Sequence, residues 1–372
     1  MNNSKFAVWL VLLASCLFAW SAVGARVQAA PAKNSVGEAK ARKYPPLEDS
    51  IERKHITVWS EGTKMAADIY LPKERDADAK FPVIVFVNGT GGTLRKLPTR
   101  LAPHFVAKGY AFVAFDYRGW GESDSKLVML EPMPEPDSNS EITVKVRALR
   151  WQMDLADQTA DIQSVISYVS GEKNLDRERI GLLGTSYGGA LVTWVAGNDP
   201  RVKCVAAQVP GMMGGRPPAA LQKAYDLAMK QARGETEPVP HMTQRRGDKT
   251  FRYHHMRYNL AKNIGYSPIV AAAKIKAPML IIDAGEEELM DITKNGGAVA
   301  SIVKKSGTPV KYHIIKGIKH YGVYRDKLQE VLDMEIDWFN QHLMATKLKN
   351  KSASAFEVIY QGKAFGFLIC DR

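Results

Sequence analysis

Apolar residues recur along this chain in two alternating rhythms. One short run, FPVIVFVNG (81–89), is apolar almost without interruption and reads as a strand covered on both faces, and YAFVAFDYRG (110–119), VKCVAAQVPG (202–211), PMLIIDAG (278–285) and VKYHIIKG (310–317) also read as strands. Between them the spacing turns helical. One helix runs through Leu101, Phe105 and Val106 and stops at Gly109. Another, within 151–169, places Leu155, Ile162, Val165, Ile166 and Val169 on one face. Helices are also expected at about 291–305 and at 326–344, the latter with Leu328, Val331, Leu332, Ile336, Phe339 and Leu343 at helical spacing. Ahead of these, HITVWSEGTKMAADIYLP (55–72) reads as a hairpin turning at Glu61-Gly62. Strands alternating with helices predict an α/β fold, a mostly parallel central sheet with helices on both faces.

The rhythm breaks at residues 213–273, which separate two expected sheet strands. Amphipathic pieces such as ALQKAYDLAMKQA and the methionines Met213, Met229, Met242 and Met256 mark it as a helical cap insertion. An insertion at this point of such a sheet sits beside the carboxyl ends of the strands, so a cap over the cleft there is expected, with a surface excursion as the alternative. Residues 51–346 form the folded domain. Residues 30–50, rich in Ala, Lys and Pro, are a linker, and the tail 347–372 carries no legible role.

Residues 1–29 belong to a different class. Lys5, an apolar run from Phe6 to Trp20 and small residues at Ala25 and Ala29 form the pattern of a secretory signal cut after Ala29 or Ala25. The expected location is periplasmic or secreted, with no stable membrane insertion after cleavage. An uncleaved anchor is disfavoured because the run is short for a span. A lipoprotein modified at Cys16 is disfavoured because Leu17-Phe18-Ala19-Trp20 is an unusual mature start.

Composition narrows the function. With 372 residues and 45% hydrophobic content the chain can bury a sizeable core. Cleavage leaves Cys204 and Cys370, so no disulfide framework exists. The net charge of +12 is spread along the chain without interleaved aromatics, and no nucleic-acid partner is expected. His254 and His255 are adjacent and would diverge on any regular element, so no metal site is expected, and no cofactor is implied.

The candidate chemistry begins at GLLGTSYGGA (181–190). An apolar strand runs into G-x-S-x-G and then into the apolar residues 190–196. Small residues at Gly184 and Gly188 allow strand and helix to pack closely while holding Ser186 in a strained turn, a nucleophile elbow. A serine hydroxyl needs a base, and the base an orienting acid, in the chain order serine, acid, histidine. His320, in the loop after 310–316, is the candidate base. After PMLII the sequence offers Asp283, Glu286, Glu287, Glu288 and Asp291. An ungapped count from Pro278 against Pro-Val-Leu-x-Ile-x-Gly-x-x-Asp selects Glu287. One inserted residue, hinted at by the late Gly285, would select Glu288, and Asp291 is the third candidate. Oxyanion donors are expected at the backbone N–H groups of Tyr187 and of Thr90, with Gly91 as the alternative to Thr90, in the loop Asn88-Gly89-Thr90-Gly91-Gly92.

Four stretches, FDYRGWGESD (115–124), DRERIGLLGTSYGGA (176–190), DPRVKCVAAQVPG (199–211) and GIKHYGVY (317–324), together resemble the serine α/β-hydrolase superfamily. Within it the chain is similar to the group holding dienelactone-hydrolase-like esterases and the catalytic domain of Xaa-Pro dipeptidyl-peptidases. The resemblance covers about residues 51–346 and implies a serine hydrolase acting on a small ester-type substrate through an acyl-enzyme. A peptidase and an acyltransferase using the same triad are the alternatives, and a catalytically dead binding module is a third. Asn88 departs from the histidine usual before the oxyanion glycine. DYRGWGES carries no reacting group, and the resemblance implies a turn that closes one side of the cleft.

Overall fold

The computed structural model describes residues 44–212, 218–237, 256–344, 358–360 and 363–365. The expected signal, most of the linker, Cys16, His254, His255, Cys370 and most of the tail lie outside the described residues. Pro45–Arg372 forms one compact unit.

The centre of that unit is an eight-stranded sheet built from β1 (Ile51–Ser60), β2 (Thr63–Pro72), β3 (Phe81–Val87), β4 (Ala111–Phe115), β5 (Leu175–Thr185), β6 (Val202–Gln208), β7 (Met279–Ala284) and β8 (Val310–Ile315). Their order across the sheet is β1-β2-β4-β3-β5-β6-β7-β8. β2 runs antiparallel to both neighbours, and from β4 through β8 all pairings are parallel. The β1–β2 turn has positive φ at Glu61 and Gly62 (45° and 78°), the two-residue geometry that matches strand twist. The unbroken apolar runs of β3, β4 and β7 are buried along nearly their whole length, as parallel strands covered on both faces must be.

The helices are α1 (Leu97–Val106), α2 (Leu155–Gly171), α3 (Tyr187–Ala196), α4 (Pro218–Ala232), α5 (Pro268–Ala272), α6 (Gly296–Lys305) and α7 (Leu328–Phe339). Val83, Val85 and Val87 point into one core layer together with Ile162 and Val165 of α2, Leu191 and Val195 of α3, and Val299 of α6. The alternate residues of the same strands face α1 and α7. Phe86 stacks on Phe112 at 5.8 Å, and Phe105 meets both Phe112 and Phe339. Gly181 is required on that side, because a Cβ there would lie 2.8 Å from the Phe339 ring.

Several expected boundaries shift for local reasons. Trp151 is not helical: it has φ 57°, and α2 starts at Leu155, where Asp154 accepts the Asp157 N–H as N-cap. Gln152 and Met153 instead pair with Arg257 and Tyr258. The helix expected at 291–305 is broken at Asn295, whose side chain accepts the Met212 N–H and donates to the Asp291 carbonyl. It becomes a short turn, Ile292–Lys294, followed by α6. The last helix ends at Phe339 and closes in one wider turn, Asn340–Met344. A hairpin pairing Leu127–Met129 with Val146–Ala148 was not legible in the pattern. No helix among the described residues is long and apolar enough to cross a membrane.

Candidate active site

β3 and β5 are neighbours in the sheet, yet the chain leaves β3 in one direction and β5 in the other. That is the switch point at which a crevice opens outside the carboxyl ends of the strands. Val87 lies opposite Gly184, and Thr185 opposite Gln208, so the loop after β3 and the turn after β5 meet there. Ser186 occupies that turn with φ 52° and ψ −116°, a strained backbone for a residue with a Cβ. Its N–H donates to the Gln208 carbonyl at 2.8 Å and its own carbonyl accepts from Gly189 and Gly211, so the strain is held from both sides. A Cβ at Gly188 would lie 2.2 Å from the Val87 carbonyl oxygen, and one at Gly184 would lie 2.4 Å from the Gly188 oxygen. The turn closes only with glycine at both places.

β7 and β8 deliver the other groups. His320 follows β8, and its Nε2 lies 3.1 Å from Ser186 Oγ. Its Nδ1 lies 2.7 Å from Glu287 Oε2. That carboxylate selects the tautomer protonated on Nδ1 and leaves Nε2 to accept from the Ser186 hydroxyl. The His320 and Glu287 side chains are each 2% exposed, so their interaction is little screened by solvent. Glu288 has a different partner: its carboxylate accepts the His320 backbone N–H at 3.0 Å, which holds its pKa below the ordinary carboxylate value. Asp291 caps the short turn after it, accepting from the Thr293 N–H and hydroxyl. Asp283 stays within β7, where burial pushes its carboxyl up to about 7 and the Tyr312 hydroxyl donates to it at 2.9 Å.

A cavity of about 670 Å³ opens over Ser186 and His320. Thr90 and the flanking glycines line one side of it, and Tyr321 and Tyr324 another. Tyr187 begins α3, where the first N–H groups of a helix have no intrahelical acceptor. The loop that carries Thr90 is anchored from behind by Asp116, whose carboxylate accepts the Leu94 and Glu122 N–H groups at 2.9 and 2.8 Å. Asn88 is buried, donates weakly to the Phe115 carbonyl, and accepts through its own carbonyl from the Tyr117 hydroxyl at 2.9 Å.

This architecture has known counterparts. The family model described as X-Pro dipeptidyl-peptidase (S15 family) matches residues 61–216. The solved structure of the α/β hydrolase GrgF from Penicillium sp. sh18 superposes with a TM-score of 0.57 at 16% identity, covering 79% of this chain and 99% of that one. An Escherichia coli protein described as an uncharacterized 31.7 kDa protein in the traX-finO intergenic region is 30% identical over 293 residues, 72% of this chain and 93% of the relative. The chain belongs to the α/β-hydrolase superfamily. A further relative of the hydrolase is the quorum-quenching protein AidA of Acinetobacter baumannii, 32% identical over 151 residues, 41% of each chain.

The expected cap falls only partly within the described residues. α4 accounts for ALQKAYDLAMKQA, but among the described residues none from 213–273 lines the cavity of the hydrolase. Of the described parts, α4 packs against the short turn Leu260–Asn263, with Gln231 donating to Asn259 at 3.0 Å; that turn touches α2, and α5 packs against α3 and α6. The mouth is formed by Pro45 and Pro46, by Arg95, Lys96 and Arg100 around the start of α1, and by Leu289 and Arg325. Residues 213–217 and 238–255 lie outside the described residues. These mouth positions were missed from sequence because they lie in four separate stretches. The run LRKLPTR soon after the loop 88–92 was the one available signal. Thr185 and Tyr324, whose hydroxyls are hydrogen-bonded beside the cavity, gave no signal at all.

Proposed function

We propose that this hydrolase cleaves carboxylic esters through an acyl-enzyme, with Ser186 as nucleophile, His320 as general base and acid, and Glu287 as the orienting carboxylate. The observation that carries the reading is the 3.1 Å approach of His320 Nε2 to Ser186 Oγ at a strained turn. In the first half, the hydroxyl proton passes to Nε2 as Oγ attacks the ester carbonyl. The tetrahedral oxyanion is held by the Thr90 and Tyr187 backbone N–H groups. His320 then returns the proton to the leaving alcohol. In the second half His320 takes a proton from water as its oxygen attacks the acyl carbonyl; the acyl–Oγ bond then breaks, the carboxylic acid leaves and His320 returns the proton to Ser186 Oγ. Export through residues 1–29 belongs to the same proposal, with mature protein beginning near Ala30 or Arg26.

A second reading, peptidase action, draws on the name of the family model matched at residues 61–216. It meets an electrostatic objection. A peptide's free amino terminus needs a carboxylate to receive it, and the described lining of the cavity contains Arg95, Lys96, Arg100 and Arg325 but no Asp or Glu.

The test is a fluorophosphonate probe, whose phosphylated adduct resembles the tetrahedral intermediate, combined with short-chain aryl esters and Xaa-Pro anilides as substrates. The expected outcome is one label, at Ser186, with ester turnover and no anilide turnover. Ser186→Ala should abolish labelling and turnover with the thermal midpoint nearly unchanged. Wild-type ester turnover by Ser186→Ala would overturn the reading, and anilide turnover would replace it with the peptidase.

A further inference from the structure

Directly behind the elbow, two buried side chains share one hydrogen bond and leave two oxygens over. Gln208 ends β6, and its backbone carbonyl accepts the Ser186 N–H. Its side-chain Nε2 donates to Glu335 Oε1 of α7 at 2.7 Å. Gln208 is 1% exposed and Glu335 is 0% exposed. Their remaining oxygens, Gln208 Oε1 and Glu335 Oε2, are buried and have no hydrogen-bond partner among the described residues. An ionised Glu335 would therefore be a buried charge with no cation paired to it among the described residues. It would also leave two acceptors facing no donor, a costly arrangement on both counts. One proton on Glu335 Oε2 removes both costs. It supplies a hydroxyl donor for Gln208 Oε1 and closes a ring of two hydrogen bonds between a carboxylic acid and a primary amide.

We propose that Glu335 is a neutral carboxylic acid in the folded hydrolase, donating from Oε2 to Gln208 Oε1, and that this pair is a positioning device for the nucleophile. It fixes the Gln208 carbonyl on which the strained Ser186 backbone hangs. When Glu335 ionises, the donor is lost and Gln208 must turn or move, which displaces Ser186 relative to His320. Burial is consistent with this assignment, since it pushes the Glu335 carboxyl up to about 8 against the opposing hydrogen bond from Gln208. The elements packed against α7 also carry Asp283 of β7, whose partners are Tyr312, Glu287 and His320, together with His320, Tyr321, His104 and His342; the two groups nearest this pair are the Tyr324 phenol, which feels both Glu335 and Glu287, and the Cys204 thiol of β6, beside Trp338 of the same helix. Burial raises both, so both are neutral and neither supplies a compensating charge.

The test compares kcat and the thermal midpoint of the full chain across pH for the wild type, for E335Q, and for the exchanged pair Q208E/E335Q. The kcat readout rests on the ester-hydrolase reading above; the thermal readout does not, so the two can fail separately. Because the folded-state value lies above the ordinary 4.5, the stabilisation by the neutral acid is complete below that value and is lost as pH rises through about 8. The wild-type midpoint should therefore fall relative to that of E335Q over this window and then run parallel to it. Wild-type kcat should show an alkaline limb in the same region. Glutamine at 335 can reproduce both hydrogen bonds without titrating, so E335Q should keep kcat within about twofold at neutral pH and lose the limb. The exchanged pair should regain it, with the acid now on β6. An alkaline limb unchanged in E335Q, or a midpoint difference independent of pH, would overturn the proposal. If E335Q does not fold, the exchanged pair decides alone: it must fold and show the limb, and failure of either overturns it.

Discussion

Glu287 and Glu288 are adjacent in the chain, yet one reaches the imidazole of His320 and the other its backbone N–H. The two contacts call for different consequences. Removing the carboxylate that orients the base costs a serine protease about 10⁴ in kcat, so Glu287→Gln should lower kcat by about 10²- to 10⁴-fold. Glu288 is exposed and holds the loop, and Asp291 only caps a turn. Glu288→Gln and Asp291→Asn should each stay within about tenfold of wild type. Steady-state kinetics on a neutral aryl ester checks all three, and a crippled Glu288→Gln would reverse the assignment.

The element that matters most is the passage from β5 into α3. Three carbonyls and two glycines leave no room for side-chain carbon: a Cβ at Gly188 meets the Val87 oxygen at 2.2 Å and the Asn88 oxygen at 2.6 Å. These are backbone atoms of β3 and of the loop that follows it, and they cannot swing aside. Gly188→Val should destabilise by about 3 kcal/mol, at the upper end of ordinary overpacking, and should also disturb the loop bearing Thr90. The thermal midpoint should drop by several degrees and activity should fall with it. An unchanged midpoint would show that strand and helix leave room for a branched side chain at this position.

At the scale of the whole molecule, charge and cavity point the same way. The chain carries +12, and the described cavity lining holds four cationic residues and no carboxylate. One of them, Arg95, is paired with Glu122 outside the cavity. Such a lining attracts anions and raises their encounter rate. An aryl ester bearing a terminal carboxylate on its acyl chain should therefore show a higher kcat/KM than the neutral ester of equal length, by about tenfold at low salt. The advantage should shrink as added salt cuts the screening length from about 10 Å towards 3 Å. It should also shrink in Arg100→Gln while neutral-ester turnover stays unchanged. Equal rates at every salt concentration would show that these cations are only solvated surface.

Much of this hydrolase is determined locally. Unbroken apolar runs specify buried parallel strands because nothing else accommodates them, and the spacing of glycines about Ser186 specifies a tight strand-to-helix turn. Chain order then narrows the base to His320, and counting from Pro278 narrows the acid to a few neighbours. Tertiary structure decided the rest. Which of Glu287, Glu288 and Asp291 lies against the imidazole depends on how the loop after β7 folds over β8, a difference of one residue that periodicity cannot resolve. Trp151 leaves its expected helix because residues 152 and 153 find partners more than a hundred positions away, at 257 and 258. The cavity mouth draws on residues near 45, 100, 289 and 325, which come together only when the sheet closes. The pairing of Gln208 with Glu335 spans 127 positions, and a buried acid that finds its partner at that distance leaves no mark on either local pattern.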